Sequence, residues 1–497
     1  HRPDPLLPGK PGPDAGTGMI TLENVSYAYP RADREAVSEI TLTLRGGECV
    51  LVTGHSGSGK TTLCLAAAGI LEHEYGGKKS GRVTVDGKDV REYHDLTDIS
   101  TRVGILFDDP DSQLLFTTVE EEVLSAIERR GFSVAEVEER LAQVLAVTGL
   151  EELKDRPPHA LSGGQKQRVV LATTLALGTD ILILDEPTSE LDEQGTESIV
   201  RLLGEFKAQG KAILIVEQKF TKLASLVDRV VVLENGRIRN EGPPAAVLQD
   251  EIARRTLIPD FSGIRTRSPA VNGTVPMVCT RGLTFSYGEE EALSSIDLSI
   301  AQGEFVAIVG ENGSGKTTLV KHFIGLLRPG KGTVMVDGKD AARAPIAELA
   351  HSAGLVFQNP DHMFFADSVF DEVAFGVDNL GIPDREQAVM DALATVRLTA
   401  ARDLYPRWLS RGERQRLAIA CVLAMQPAVL ILDEPTTGLD GSESREIIEI
   451  LKQLQEKGHT IIMITHSREI AGQCADRVIH MEAGRIADDV RVEAAHG

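Results

Sequence analysis

The feature that most constrains this chain is that it is written twice. The stretch "GHSGSGKTTL" beginning at Gly54 returns as "GENGSGKTTL" from Gly310, and "ILILDEPTSELD" from Ile181 returns as "VLILDEPTTGLD" from Val429. The offset is 256 residues between Lys60 and Lys316, and 248 both between Ser162 and Ser410 and between Asp185 and Asp433. Offsets that stay nearly constant along the whole chain mean tandem duplication with small insertions, so one unit used twice has to be explained.

Bulk properties agree with two or more cores. At 497 residues the chain exceeds what one interior ordinarily serves, and 42% hydrophobic with 25% charged residues is a globular composition. A formal net charge of -22 argues against broad binding to nucleic acid, which needs a phosphate-neutralising excess of Lys and Arg. The five cysteines, at positions 49, 64, 279, 421 and 474, form no C-x-x-C pair and read as reduced packing residues. No apolar run approaches the roughly 20 residues that a membrane-spanning helix requires, which leaves docking on a membrane protein open. The opening "HRPDPLLPGKPGPDAGTG", 1–18, is rich in Pro and Gly and is expected to be a flexible extension, with Met19 a candidate start. The first unit is expected at 19–254, an aperiodic linker at 255–276 and the second unit at 277–497.

Within each half the order is alternating strands ("ITLENVSYAY", "MVCTRGLTFSY"), a short apolar strand ("CVLVTG", "FVAIVG"), a glycine-rich loop and a helix. Segments 119–160 and 369–408 carry Glu, Ala, Leu and Arg at helical spacing and read as helical subdomains. Continuous apolar runs at Ile181 to Leu184, Ala212 to Val216, Val429 to Leu432 and Thr460 to Ile464 read as buried parallel strands. The expected fold class is therefore α/β.

G-x-x-x-x-G-K-[ST] after a strand is a nucleotide signal, because its glycines let backbone N–H groups close around phosphates at a helix N-terminus. The expected ATP-binding residues are Gly54, Ser56, Gly57, Gly59, Lys60, Thr61 and Thr62 in the first half. In the second they are Gly310, Asn312, Gly313, Gly315, Lys316, Thr317 and Thr318. Lys60 and Lys316 would neutralise the β- and γ-phosphates, and Thr61 and Thr317 would ligate Mg²⁺. The strand-end pairs divide two tasks: Asp185 or Asp433 holds Mg²⁺, while Glu186 or Glu434 polarises the attacking water.

Phosphate loop, LSGGQ, D-E-P-T and a downstream His, in order in each half, resemble the ATP-binding cassette (ABC) ATPases over nearly the whole chain. The resemblance implies two tandem P-loop domains, each a RecA-like core with a β subdomain and a helical subdomain. It further implies that the cassettes pair head to tail, each ATP lying between one phosphate loop and the other half's signature. Carried over residue by residue, Ser162, Gly163, Gly164 and Gln165 are the first signature, and Ser410 and Gly412 keep its pattern in "LSRGE". Gln358, also a Mg²⁺ ligand, falls on the lid glutamine, Glu434 on the general base and His466 on the γ-phosphate-sensing histidine. Tyr29 and Tyr287 match the ring that stacks on adenine, although a Tyr ending a strand also serves as plain packing.

The departures fall on one side. Asp108 stands where the first half should have the lid glutamine, Gln218 where it should have the histidine, and Arg411 and Glu413 alter the second signature. Under head-to-tail pairing all belong to the site built on Lys60, which is expected to bind ATP and turn over slowly. Arg411 can obstruct the approach to the γ-phosphate or attract it.

"FQNPDHMFF" and its echo "FDDPDSQLLF" resemble a segment of the energy-coupling factor importers, whose ATPases drive uptake of vitamins or transition-metal ions. That resemblance implies a transmembrane subunit, a separate substrate-binding membrane subunit and a peripheral place on the cytoplasmic face of the membrane. Leu114, Leu115, Phe116, Met363, Phe364 and Phe365 either receive a membrane subunit's helix or pack beneath the helical subdomain. Twin-cassette sugar importers and soluble twin-cassette proteins acting on ribosomes or DNA are the alternatives.

Overall fold

The computed structural model describes residues 18–30, 32, 34–128, 132–189, 191, 193–218, 220–250, 253, 254, 261, 264, 276–288 and 290–492. The chain divides into two compact units, His1–Ile258 and Pro259–Gly497. The expected extension at 1–18 lies outside the described residues except for Gly18, which begins a strand. Most of the expected linker at 255–276 also lies outside them, while Phe261 is buried in the second unit's core and Pro276 opens a strand.

In the first unit β1 (Gly18–Ala28), β2 (Val37–Arg45), β4 (Lys78–Val85) and β5 (Lys88–Asp89) form an antiparallel sheet in the order β2-β1-β4-β5. The second sheet runs β10-β9-β3-β8-β7-β6. Its members are β3 (Cys49–Gly54), β6 (Val103–Leu106), β7 (Ile181–Asp185), β8 (Ala212–Val216), β9 (Arg229–Glu234) and β10 (Arg237–Gly242). Five strands are parallel and β10 turns back along β9. The central strands β3, β7 and β8 are buried at every position, so they carry no polar alternation.

Helix α1 (Lys60–Ala67) follows β3, α2 (Val119–Glu128) and α3 (Val134–Thr148) form the helical subdomain, α4 (Gly163–Ala176) starts in the signature, and α5 (Glu193–Ala208) leads to β8. The helical subdomain has its own core of Val119, Val123, Ile127, Leu141, Leu145 and neighbours, to which α4 contributes Val169 and Ala172.

The second unit repeats this plan. Strands β11 (Pro276–Tyr287), β12 (Glu290–Ala301), β14 (Val334–Val336) and β15 (Lys339–Asp340) pair as β12-β11-β14-β15. Strands β13 (Phe305–Val309), β16 (Ala353–Val356), β17 (Val429–Asp433), β18 (Thr460–Ile464), β19 (Arg477–Glu482) and β20 (Arg485–Arg491) run β16-β17-β18-β13-β19-β20. The helices are α6 (Lys316–Phe323), α7 (Val369–Leu380), α8 (Arg385–Thr395), α9 (Arg411–Leu423) and α10 (Gly441–Glu456). In both units the active strand ends point the same way: β3 and β7 end at the phosphate loop and at Asp185, and β13 and β17 end at their counterparts.

All five cysteines are free thiols, as their spacing implied. Burial pushes Cys49 and Cys474 up to about 12 and raises Cys64 and Cys421 as well, because a thiolate there would lose its hydration. We therefore expect a maleimide at pH 7 to label Cys279 first in the folded chain, with the others reacting only after denaturant is added; peptide mass mapping of the adducts checks this.

Candidate active site

Each phosphate loop is shaped by its glycines. Gly54, Gly57 and Gly59 have φ of 155°, 73° and 100°, and Gly310, Gly313 and Gly315 have 156°, 81° and 95°. A Cβ on Gly59 would lie 2.4 Å from the Ala36 carbonyl oxygen, and one on Gly315 would lie 2.6 Å from that of Ala292. The loops open onto helices whose N-termini have no side-chain cap and no acidic residue in the first turn, which leaves them suited to an anion. Lys60 Nζ donates to the carbonyls of Gly54 and His55 at 2.8 and 3.0 Å, and Lys316 Nζ to those of Gly310 and Glu311 at 2.9 and 2.7 Å. Each buried ammonium is thus held within the loop. Ser56 and Asn312 sit in the same loops.

The loop is tied to the carboxylate strand by one hydrogen bond. Thr61 Oγ1 donates to Asp185 Oδ2 at 2.8 Å, and Thr317 Oγ1 to Asp433 Oδ2 at 2.9 Å. Burial raises both carboxyls above the usual range. Asp185 reaches about 7, because the nearby Asp108 charge adds to its burial. For Asp433, the Thr317 hydroxyl, Lys316 and Lys321 oppose the effect of burial. A hydroxyl beside a desolvated carboxylate is a hard-oxygen set that fits Mg²⁺. Among the described residues no three His, Cys, Asp or Glu side chains converge, so a metal would rely on nucleotide phosphates for further oxygens. Gln358 and Asp108 both follow an edge parallel strand and are exposed.

Glu186 and Glu434 occupy the left-handed region, φ 50° and 51°, which is rare for a residue with a side chain. They are held there by N–H bonds to Val216 and Ile464 carbonyls at 2.8 and 3.0 Å. The partners of their carboxylates differ. In the second unit His466 Nε2 lies 3.1 Å from Glu434 Oε1 while its Nδ1 lies 3.2 Å from the Gly310 carbonyl. Both ring nitrogens therefore face oxygens. In the first unit Gln218 Nε2 donates to Glu186 Oε1 at 2.8 Å and brings no charge.

The signature helices begin alike. Ser162 and Gln165 form a capping box on α4, and Ser410 and Glu413 form one on α9. Glu413 Oε2 accepts the Ser410 N–H at 2.8 Å as Gln165 Oε1 accepts that of Ser162 at 3.0 Å. The Glu413 carboxylate thus closes its own helix start. Gly163 opens α4 and Gly164 is buried, while a Cβ on Gly412 would lie 2.4 Å from Glu443 Oε1. The Arg411 guanidinium lies against Gly438, its Cζ 2.2 Å from where a Cβ there would stand.

Tyr29 is half-buried, edge-on to Tyr27 and Tyr75, with its hydroxyl 3.2 Å from that of Thr62 on α1. Tyr287 is about half exposed and edge-on to Phe285. Thr318 lies on α6, its carbonyl 2.8 Å from His322 Nδ1.

The apolar residues past the lid position split. Leu114, Met363 and Phe364 pack into cores, whereas Leu115 is 81% exposed, Phe116 42% and Phe365 63%. The reading from sequence overlooked what holds them: buried Glu122 accepts the Leu115 and Phe116 N–H groups, and Glu372 accepts those of Phe365 and Ala366 at 2.9 and 2.7 Å. A Glu on an otherwise apolar helix face was the signal. Glu217, which binds Thr188, also escaped notice.

A buried lysine inside each glycine loop, a strand-end Asp-Glu pair and a capped signature helix, all present twice, define a twin nucleotide-binding P-loop ATPase. The ABC transporter family profile matches residues 37–189 and 293–437, and the chain belongs to that family. A Methanosarcina mazei protein provisionally named an ABC transporter ATP-binding protein is 48% identical over 476 residues, 95% of each chain. CbiO1 of Clostridium perfringens, part of the ABC transporter complex CbiONQ, aligns at 38% identity over 44% of this chain and 88% of its own, with a TM-score of 0.41. An archaeal ribosome recycling factor, aABCE1, solved with the ribosomal stalk protein aP1, shares the fold at 21% identity and TM-score 0.63, covering 94% of this chain and 90% of its own. Members of the family bind and hydrolyse ATP and generally partner with transmembrane subunits. Among the described residues no helix is long and apolar enough to cross a membrane.

Because a side chain at Gly315 meets backbone, Gly315→Ala is expected to weaken nucleotide binding at least about tenfold, from strain of about 1–2 kcal/mol plus the clash. Titration with a fluorescent ATP analogue in a Lys60→Ala background checks it.

Proposed function

We propose that the chain is the ATP-hydrolysing subunit of a membrane importer of the energy-coupling factor kind, taking up vitamins or transition-metal ions. It acts with ATP and Mg²⁺ at the cytoplasmic face of the membrane, beside a transmembrane subunit and a separate substrate-binding membrane subunit. The carrying observation is the exposed Leu115, Phe116 and Phe365, fixed just past the lid positions by the buried Glu122 and Glu372. Outward-facing apolar side chains on an anchored backbone suit a partner's helix. The transporter names of the relatives support the same reading.

In this reading the cassettes pair head to tail. Lys316, Thr317, Asp433, Glu434, Gln358 and His466 work with Ser162, Gly163, Gly164 and Gln165. Lys60, Thr61, Asp185, Glu186, Asp108 and Gln218 work with Ser410 and Gly412. At the first of these sites water oxygen bonds to the γ-phosphorus, the bond from that phosphorus to the bridging oxygen of ADP breaks, and the water's proton passes to Glu434. His466 holds that carboxylate beside the phosphate. Tyr29 and Tyr287 stack on adenine. Thr61 and Asp185, and Thr317 and Asp433 with Gln358, would hold Mg²⁺, which would neutralise phosphate charge when bound. The site with Asp108 and Gln218 has one more negative charge beside its Asp and no imidazole against its Glu, and therefore binds ATP and turns it over slowly.

Two experiments test this. Glu434→Gln should lower steady ATP hydrolysis by about 10²- to 10⁴-fold, and Glu186→Gln by far less; equal losses would refute the asymmetry. Purified in mild detergent, the chain should bring a membrane subunit with it, and Leu115→Asp with Phe365→Asp should release that subunit while basal ATPase persists. Stimulation by ribosomes with no membrane partner would favour the soluble class.

A further inference from the structure

The first unit carries a buried carboxylate where the second has a hydroxyl. Glu217 stands at the position of Thr465, immediately before Gln218, and is 3% exposed. Its Oε2 accepts the Thr188 hydroxyl at 2.6 Å and the Thr188 backbone N–H at 3.3 Å, and its Oε1 accepts the Gln218 N–H at 3.0 Å. One oxygen therefore grips the turn that follows Glu186, and the other grips the residue whose amide holds Glu186 Oε1. The same turn is fastened again by Gln167, whose Nε2 donates to the Glu186 carbonyl at 2.6 Å. In the second unit the Thr465 hydroxyl accepts the Ser467 N–H at 3.1 Å, a bond within its own turn, and Glu434 meets the His466 imidazole at Oε1 while its Oε2 accepts the Thr437 hydroxyl and the His466 backbone N–H at 3.2 and 3.3 Å.

A general base has to reach the water and accept its proton, whereas Glu186 Oε1 is bonded by a neutral amide whose own backbone N–H, like the turn after Glu186, is held by the buried Glu217 carboxylate. We propose that Glu217 is a positioning residue that fastens Thr188 to the end of β8, immobilises Glu186 beneath Gln218, and so makes the first cassette retain ATP rather than hydrolyse it. The proposal rests on the reading that this cassette's site is the slow one. It adds that restoring the missing histidine is not sufficient: the clamp must open as well.

The test uses the full chain carrying Glu434→Gln, so that remaining turnover belongs to the first cassette. Single-turnover hydrolysis of γ-labelled ATP is followed in Gln218→His, in Gln218→His with Glu217→Thr, and in Gln218→His with Thr188→Val, which opens the clamp and keeps the carboxylate. We expect Gln218→His alone to change the rate less than about threefold, and both double variants to raise it on the order of tenfold or more. The gain should appear in the maximal single-turnover rate with the half-saturating ATP concentration unchanged, and thermal melting should show each variant folded. Gln218→His with Glu217→Gln, which keeps an acceptor oxygen for Thr188, should stay slow. If Gln218→His alone matches the doubles, or Glu217→Gln accelerates as Glu217→Thr does, the clamp has no positioning role. Wild-type turnover in the Glu434→Gln parent would instead overturn the slow-site reading itself, before any change at Glu217.

Discussion

The hydrogen bond from Thr61 to Asp185, and its copy from Thr317 to Asp433, is the contact on which each unit's chemistry depends. It joins the first turn of the phosphate-loop helix to the end of a buried strand two positions away in the sheet, since β8 lies between β3 and β7. A carboxyl this deeply desolvated is costly unless something with complementary polarity faces it. The hydroxyl meets part of that need, and the rest is what makes the strand end receptive to a cation. Glu186 and Glu434 stand one residue on, turned into the left-handed region by bonds to the neighbouring strand. Backbone strain, burial and loop closure are thus concentrated at one end of the sheet, where the continuous apolar strands β7, β8, β17 and β18 hold them.

Much of this was legible in the sequence because it depends on local spacing. The glycines of the loops, the apolar strands and the Asp-Glu pairs each announce a conformation within a few residues. What spacing does not carry is which distant atom a polar side chain chooses. Glu122 and Glu372 stand on otherwise apolar helix faces, but spacing does not say that they reach the N–H groups of the preceding loop. Gln113 is similar: its side-chain oxygen accepts the Phe107 N–H at 2.8 Å and shapes the loop beyond β6. Glu217 reads as one more charge after a strand, and only the fold brings it to Thr188.

The two units also show how one framework absorbs different charges. Lys452 is buried over the Phe305 ring beside Gln455 and Asp476, whereas the first unit pairs Lys207 with Asp228 at 2.7 Å. In both, the Asp accepts the N–H that begins the phosphate-loop strand, Cys49 in one and Phe305 in the other, at 2.9 Å. The backbone requirement is kept while the cation that answers it moves to another turn of the helix.

Arg411 and Gly438 show the same dependence in miniature. The guanidinium fills the space in which any side chain at 438 would have to stand, and the first unit has the reverse pairing in sequence, Gly163 with Glu190. An engineer who returned a glycine to 411 alone would leave a void beside a residue with nothing to extend into it. A side chain added at 438 would not simply fill it, because Gly438 has a φ of 69°, a conformation that favours glycine.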